Sequence, residues 1–179
     1  MVHPHGKRLM IPMTAAFALL SLVWARGSAN TPTTIRVLTY NIHHGEGRDG
    51  ELDLPRLGRV ISSVQPDLVA LQEVDVGTAR TDMVDQVAEL ARLTGMYAQF
   101  GKAMDYMGGG YGVAVLSRWS FLTTENQPLP SSPDREPRIG LTVRVRVGEH
   151  GPVIGFTSTH FDQARPGIDW PRQRISMSC

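Results

Sequence analysis

The chain reads as an α/β protein with a mixed, layered (α+β) fold. Three observations predict it. Strand-like and helix-like segments alternate as β-α-β-α from Ile35 to about Gly95. A run of strand-like segments follows. The last two, around Leu141–Val147 and Val153–Thr159, read as an antiparallel hairpin. Parallel units first and hairpins later indicate sheets of mixed direction covered by helices.

Each element has a local reason. Ile35–Tyr40 alternates and is β-rich, so it predicts a strand. Gly45, Gly47 and Gly50 make His43–Glu51 a loop. Asp53 reads as an N-cap with Pro55 in the first turn. Leu54, Leu57, Val60, Ile61 and Val64 have helical spacing, and Pro66 stops that helix. Leu68–Leu71 is a short apolar run of the buried-strand type. Asp82 is expected to cap a second helix, with Val84, Val87, Leu90 and Ala91 on one face and Gly95 at its end. Tyr97–Phe100 and Val113–Leu116 read as strands, with Met107–Gly110 a turn between them. Phe121–Leu129 reads as extended, and Pro128, Pro130, Pro133 and Pro137 predict a loop after it. Leu141, Val143, Val145 and Val147 alternate with Thr142, Arg144 and Arg146, a half-buried strand. Gly148–Gly151 turns it into the next one.

The bulk numbers set limits. With 179 residues the chain suffices for one domain with a real core. A formal net charge of +1 and 20% charged residues give no sign of a strongly basic nucleic-acid scaffold. Cys179 is the single cysteine, so an internal disulfide framework or cysteine zinc site is excluded. Residues 1–29 read as a signal peptide. Lys7 and Arg8 precede an apolar run from Ile11 to Ala25, and Gly27, Ser28 and Ala29 form a small-residue cleavage region. The expected destination is therefore secreted or periplasmic, with an uncleaved membrane anchor as the alternative. Residues 30–179 form the expected domain.

Several polar residues stand where strands run into loops. Glu73 follows the apolar run of Leu68–Leu71; a rigid strand would aim its carboxylate at a cation such as Mg2+, which takes oxygen ligands. Asn41 ends the first strand, and its amide can hold a phosphate oxygen or orient a metal ligand. His160 ends the last strand and can bond or protonate a phosphoryl oxygen. Arg138, in a proline-stiffened loop, can grip phosphate by a forked contact. Tyr111, after three glycines, can reach phosphate through its hydroxyl. His43 and His44 are adjacent. In an extended segment they point to opposite faces and do not chelate one metal; in a loop they line the site. Each residue also has a structural reading: an exposed glutamate, a turn asparagine, a satisfied histidine, a solvated arginine, a core-edge tyrosine.

Taken in order, these stretches resemble the endonuclease/exonuclease/phosphatase superfamily. Thr39-Tyr40-Asn41-Ile42-His43-His44-Gly45 looks like its opening strand. Pro66-Asp67-Leu68-Val69-Ala70-Leu71-Gln72-Glu73-Val74 looks like its metal-glutamate segment, and Tyr111–Arg118 like its central strand. Glu136-Pro137-Arg138 and Thr159-His160-Phe161-Asp162 look like later landmarks. The resemblance implies a partial four-layer α/β/β/α sandwich and an exported, metal-dependent phosphoesterase-type domain. It implies Mg2+, with Mn2+ as the alternative, held by Glu73 with Asn41. His160, Tyr111 and Asn41 would be catalytic, and Arg138 and Asn41 would bind substrate. The substrate would be a phosphoester: nucleic acid, phospholipid or sugar phosphate. The family's later Gly-Asp-Phe-Asn and Ser-Asp-His segments do not occur before Cys179. A truncated chain that lacks the C-terminal strands and has low activity is therefore expected. A non-catalytic, ligand-binding remnant is the rival reading.

Overall fold

The computed structural model describes residues 34–132 and 134–161. The leader-like segment and Asp162 lie outside them. The compact unit beginning at Ile35 runs β1 (Val37–Asn41), α1 (Leu54–Val64), β2 (Leu68–Val76), α2 (Gln86–Thr94), β3 (Tyr97–Tyr106), β4 (Gly109–Ser117), β5 (Phe121–Leu129), β6 (Arg138–Arg146) and β7 (Val153–Thr159). Short 3-10 turns lie at His43–Gly45 and Ala79–Thr81.

Two sheets form. One has the order β1-β2-β4-β3, and the other β5-β6-β7. β1 and β2 are parallel, joined by α1; the remaining pairings are antiparallel. Alternation along the strands sorts the core into two clusters. Val69, Leu71, Ala114 and Leu116 meet Leu57, Ile61, Val87 and Leu90 of the helices. Leu68, Val113 and Val115 point the other way, onto Ile139, Leu141, Val143 and Val145 of the second sheet. The described residues thus make helix, sheet and sheet layers. β2 and β4 are buried along nearly their whole length because both faces are covered, which explains their unbroken apolar runs. β5 is a polar outer strand, and an edge tolerates Pro128.

The layers approach closely where glycine permits it. A Cβ at Gly101 would lie 2.8 Å from Ile139 and 2.9 Å from Leu141, so the second sheet settles onto the first there. Gly58 does the same for the helices, since a Cβ would meet that of Leu93 at 2.9 Å.

Most boundaries follow the sequence expectations. The Asp53 side chain accepts from Arg56 N–H at 2.7 Å and caps α1. Gly95 ends α2 in the left-handed region. Three expectations need correction. Asp85, not Asp82, caps α2, accepting from Ala88 N–H at 2.9 Å. Asp82 instead closes the preceding 3-10 turn at φ 52°. The turn between β3 and β4 is confined to Met107 and Gly108, because β4 already begins at Gly109. Glu73 does not end its strand: β2 continues to Val76.

Leu116→Ala should cost about 2–5 kcal/mol, because the side chain is fully buried and its loss leaves a cavity. Leu122→Ala, at a residue 51% exposed, should stay within about 0.5 kcal/mol. Chemical denaturation of the two variants measures both.

Candidate functional site

The site starts from a defect in β2. Gln72 pairs with Val113 and Val74 with Gly112, so Glu73 is an extra residue without a partner on β4. It adopts φ 56°, a left-handed conformation uncommon for a side chain of this size. β3 bulges against the same stretch of β4, between Lys102 and Met104. Gly112 stands between the two irregularities. A Cβ there would come within 2.0 Å of the Gly101 carbonyl oxygen, so no larger residue fits.

Asn41 fastens the bulge. Its Nδ2 donates to Glu73 Oε1 at 2.7 Å, and its Oδ1 accepts from His43 N–H at 3.0 Å. One amide thereby ties the carboxylate to the turn after β1. That turn is not extended. His43 and His44 take φ 48° and 43°, and their rings lie side by side with centroids 4.4 Å apart. Of the two readings for this pair, the turn therefore selects the loop one, and both rings lie near Glu73. One ligand atom from each of His43, His44 and Glu73 falls within 4.8 Å of the others. Gln86 of α2, 1% exposed, supports the turn from behind. Its Nε2 donates to the His44 carbonyl at 2.6 Å and its Oε1 accepts from Asp75 N–H at 3.0 Å.

The second sheet brings the remaining groups. Buried Ser158 donates its hydroxyl to the Leu71 carbonyl at 3.1 Å, a direct bond between β7 and β2. Two residues later, His160 Nε2 lies 3.7 Å from Glu73 Oε1. Its Nδ1 lies 3.1 Å from an Arg138 guanidinium nitrogen. Arginine only donates, so Nδ1 accepts and the proton of the neutral ring sits on Nε2, facing Glu73. The same arginine nitrogen donates to Glu136 at 2.8 Å. Arg138 therefore orients the histidine from a largely buried position. A cavity of about 10 Å³, the room one water needs, lies among Tyr111, Gly112, Val113, Arg138 and His160.

Tyr111 is buried at the same place. Burial pushes its phenol well above the ordinary tyrosine range, and the charges of Glu136 and Glu73 add to the shift; Arg138 opposes it. At neutral pH it is a hydrogen-bond donor. Behind it stands a network with no counterpart in the sequence expectations. Arg80 bonds both oxygens of the fully buried Asp75, at 2.7 and 2.9 Å. The pair holds the Arg80 pKa above its ordinary value. The Arg80 guanidinium carbon lies 4.6 Å from the Tyr106 ring centre and 5.6 Å from that of Tyr111. A carboxylate inside an apolar run, with an arginine five residues on, was the available signal.

The five residues expected from sequence, Asn41, Glu73, Tyr111, Arg138 and His160, thus converge on one end of two stacked sheets. They lie together at one edge of a two-sheet α/β domain. The chain belongs to the endonuclease/exonuclease/phosphatase family, whose model matches residues 38–177. It is similar to an endonuclease/exonuclease/phosphatase from Beutenbergia cavernae, with 28% identity and a TM-score of 0.59 over 75% of this chain and 39% of that one. A family protein from Leptotrichia buccalis is 20% identical, TM-score 0.56, over 72% of this chain and 54% of its own. The human nocturnin catalytic domain is 22% identical, TM-score 0.55, over 74% and 51%. The chain thus spans less than two thirds of the length of these relatives. The family acts on phosphoesters and generally uses divalent metals, and His43, His44 and Glu73 are a donor set that fits one. No helix among the described residues is long and apolar enough to cross a membrane.

Two outcomes follow from this geometry. Arg80→Ala should destabilise the protein by about 3–5 kcal/mol, because it leaves the Asp75 carboxylate buried without its cation; urea denaturation reads it. The Tyr111 phenol should stay neutral through pH 10–11. Its folded pKa is raised, so its contribution to stability is complete below about pH 10 and declines as pH rises further. The tyrosinate absorbance developed by about pH 11 should be the same in wild type and Tyr111→Phe.

Proposed function

We propose that the strand-end cluster is the metal- and phosphate-binding part of a phosphoester hydrolase site. The observation that carries the reading is the Glu73 carboxylate, held by Asn41 at 2.7 Å and faced by His160 Nε2 at 3.7 Å. Glu73 holds the divalent cation; oxygen ligands alone would select Mg2+. When bound, the cation neutralises phosphate charge and polarises the ester. Asn41 orients the carboxylate. The His160 Nε2–H and the Tyr111 hydroxyl donate to phosphoryl oxygens, and Arg138 keeps the imidazole turned toward them. The substrate is a phosphodiester or phosphomonoester of a nucleic acid, a phospholipid or a sugar phosphate. The leader-like pattern of residues 1–29 adds export to the reading.

A second reading is binding without turnover. The chain covers 39% of the Beutenbergia chain, so turnover is an independent question from binding. Calorimetry with inorganic phosphate separates the site from its absence, and release of nitrophenol from bis(p-nitrophenyl) phosphate separates the two readings. Phosphate binding should need a divalent cation and weaken about tenfold or more in Glu73→Gln. Equal phosphate affinity with EDTA present, or in Glu73→Gln, would sink the proposal.

A further inference from the structure

The ligand set around Glu73 is richer in nitrogen than a magnesium site requires. Mg2+ prefers oxygen and keeps most of its waters. Imidazole suits cations of the zinc class, and two histidines with one glutamate and an open position is a recurring set for catalytic zinc. Here His43, His44 and Glu73 present one ligand atom each within 4.8 Å.

Three independent features indicate that this is a built arrangement. All three residues hold left-handed backbone conformations, at φ 48°, 43° and 56°. Such conformations are costly for these side chains and gather where function requires them. Next, His44 is positioned by an acid: its Nε2 lies 3.2 Å from Glu46 Oε2, and its ring is 12% exposed. A carboxylate on one nitrogen fixes the tautomer and leaves the other nitrogen for a metal. Finally, Asn41 and Gln86 hold the turn from both sides, through His43 N–H and the His44 carbonyl. Ligand atoms around a zinc-class cation stand about 3.3–3.6 Å apart, by the usual bond lengths.

We infer that His43, His44 and Glu73 form a two-histidine, one-carboxylate site that takes a zinc-class divalent cation in preference to Mg2+. The inference rests on the reading of Glu73 as a metal carboxylate and replaces the oxygen-only cation choice with one set by the imidazoles. It makes the turn after β1, rather than β2 alone, the determinant of metal identity.

The test is direct metal binding by the full chain after chelator stripping. Zn2+ affinity is measured by competition with a chromogenic chelator, Mg2+ affinity by calorimetry, and Co2+ is used as a visible-spectrum probe. One equivalent of Zn2+ should bind about a hundredfold or more tighter than Mg2+, following the ligand preferences. His43→Ala and His44→Ala should each weaken Zn2+ about tenfold or more, alter the Co2+ bands and leave Mg2+ affinity within about threefold. Circular dichroism checks folding. If His44→Ala unfolds, the exposed His43→Ala decides. Zn2+ affinity unchanged in the folded histidine variants, or Mg2+ binding as tightly as Zn2+, overturns the inference. Glu73→Gln separates the levels. If it weakens both cations while the histidine variants change nothing, only this inference fails. If it changes neither cation, the reading of Glu73 as a metal carboxylate fails as well.

Discussion

One unpaired residue in a buried strand organises this molecule. β2 is covered on both faces, and a regular strand there would point the Glu73 carboxylate into an apolar layer, which is costly for a charge. The bulge removes that conflict. It takes Glu73 out of the ladder, turns its backbone left-handed and leaves the side chain partly exposed at the rim. It also shifts the register, so that Asp75 pairs with Tyr111 and the Arg80 network forms behind the phenol. The glycine at position 112 is part of the same solution, since neighbouring strands bulge on either side of it.

Convergence of the two sheets supplies the rest. Apolar packing sets the layers face to face but is not directional. The directional element is the Ser158 hydroxyl on the Leu71 carbonyl, buried between sheets and two residues from each polar end. It fixes where β7 stops relative to β2 and so sets His160 beside Glu73. Among the described residues, the charges around that meeting point have partners. Glu73 has Asn41, His160 has Arg138, Arg138 has Glu136, and Asp75 has Arg80. Preorganised polar groups of this kind need little rearrangement when an anion arrives.

Much of the fold was legible because local and global signals agree. The caps at Asp53 and Gly95, the helical spacing of Leu57 and Ile61, and the alternation of Leu141, Val143 and Val145 each report on one element and its buried face. Asp82 misled because a 3-10 turn and the true cap, Asp85, fall within four residues, and both positions suit a short acidic side chain. The His43–His44 pair stayed open between two readings because its direction depends on a left-handed turn tied to Asn41 and Gln86. The Arg80–Asp75 pair left only a weak signal, because a buried charge reads like an exposed one until its surroundings are known.

The sequence by itself determined the class of the fold, the order of its elements, the family and the five residues of the candidate site. Those properties are carried by periodicity, punctuation and ordered motifs, which are local in the chain. Only the tertiary structure decided that a bulge turns Glu73 out of its strand, that two adjacent histidines lie near the same carboxylate, and that Arg138 bonds to His160. Each depends on contacts between segments 22 or more residues apart, or on a backbone angle that no residue type specifies alone.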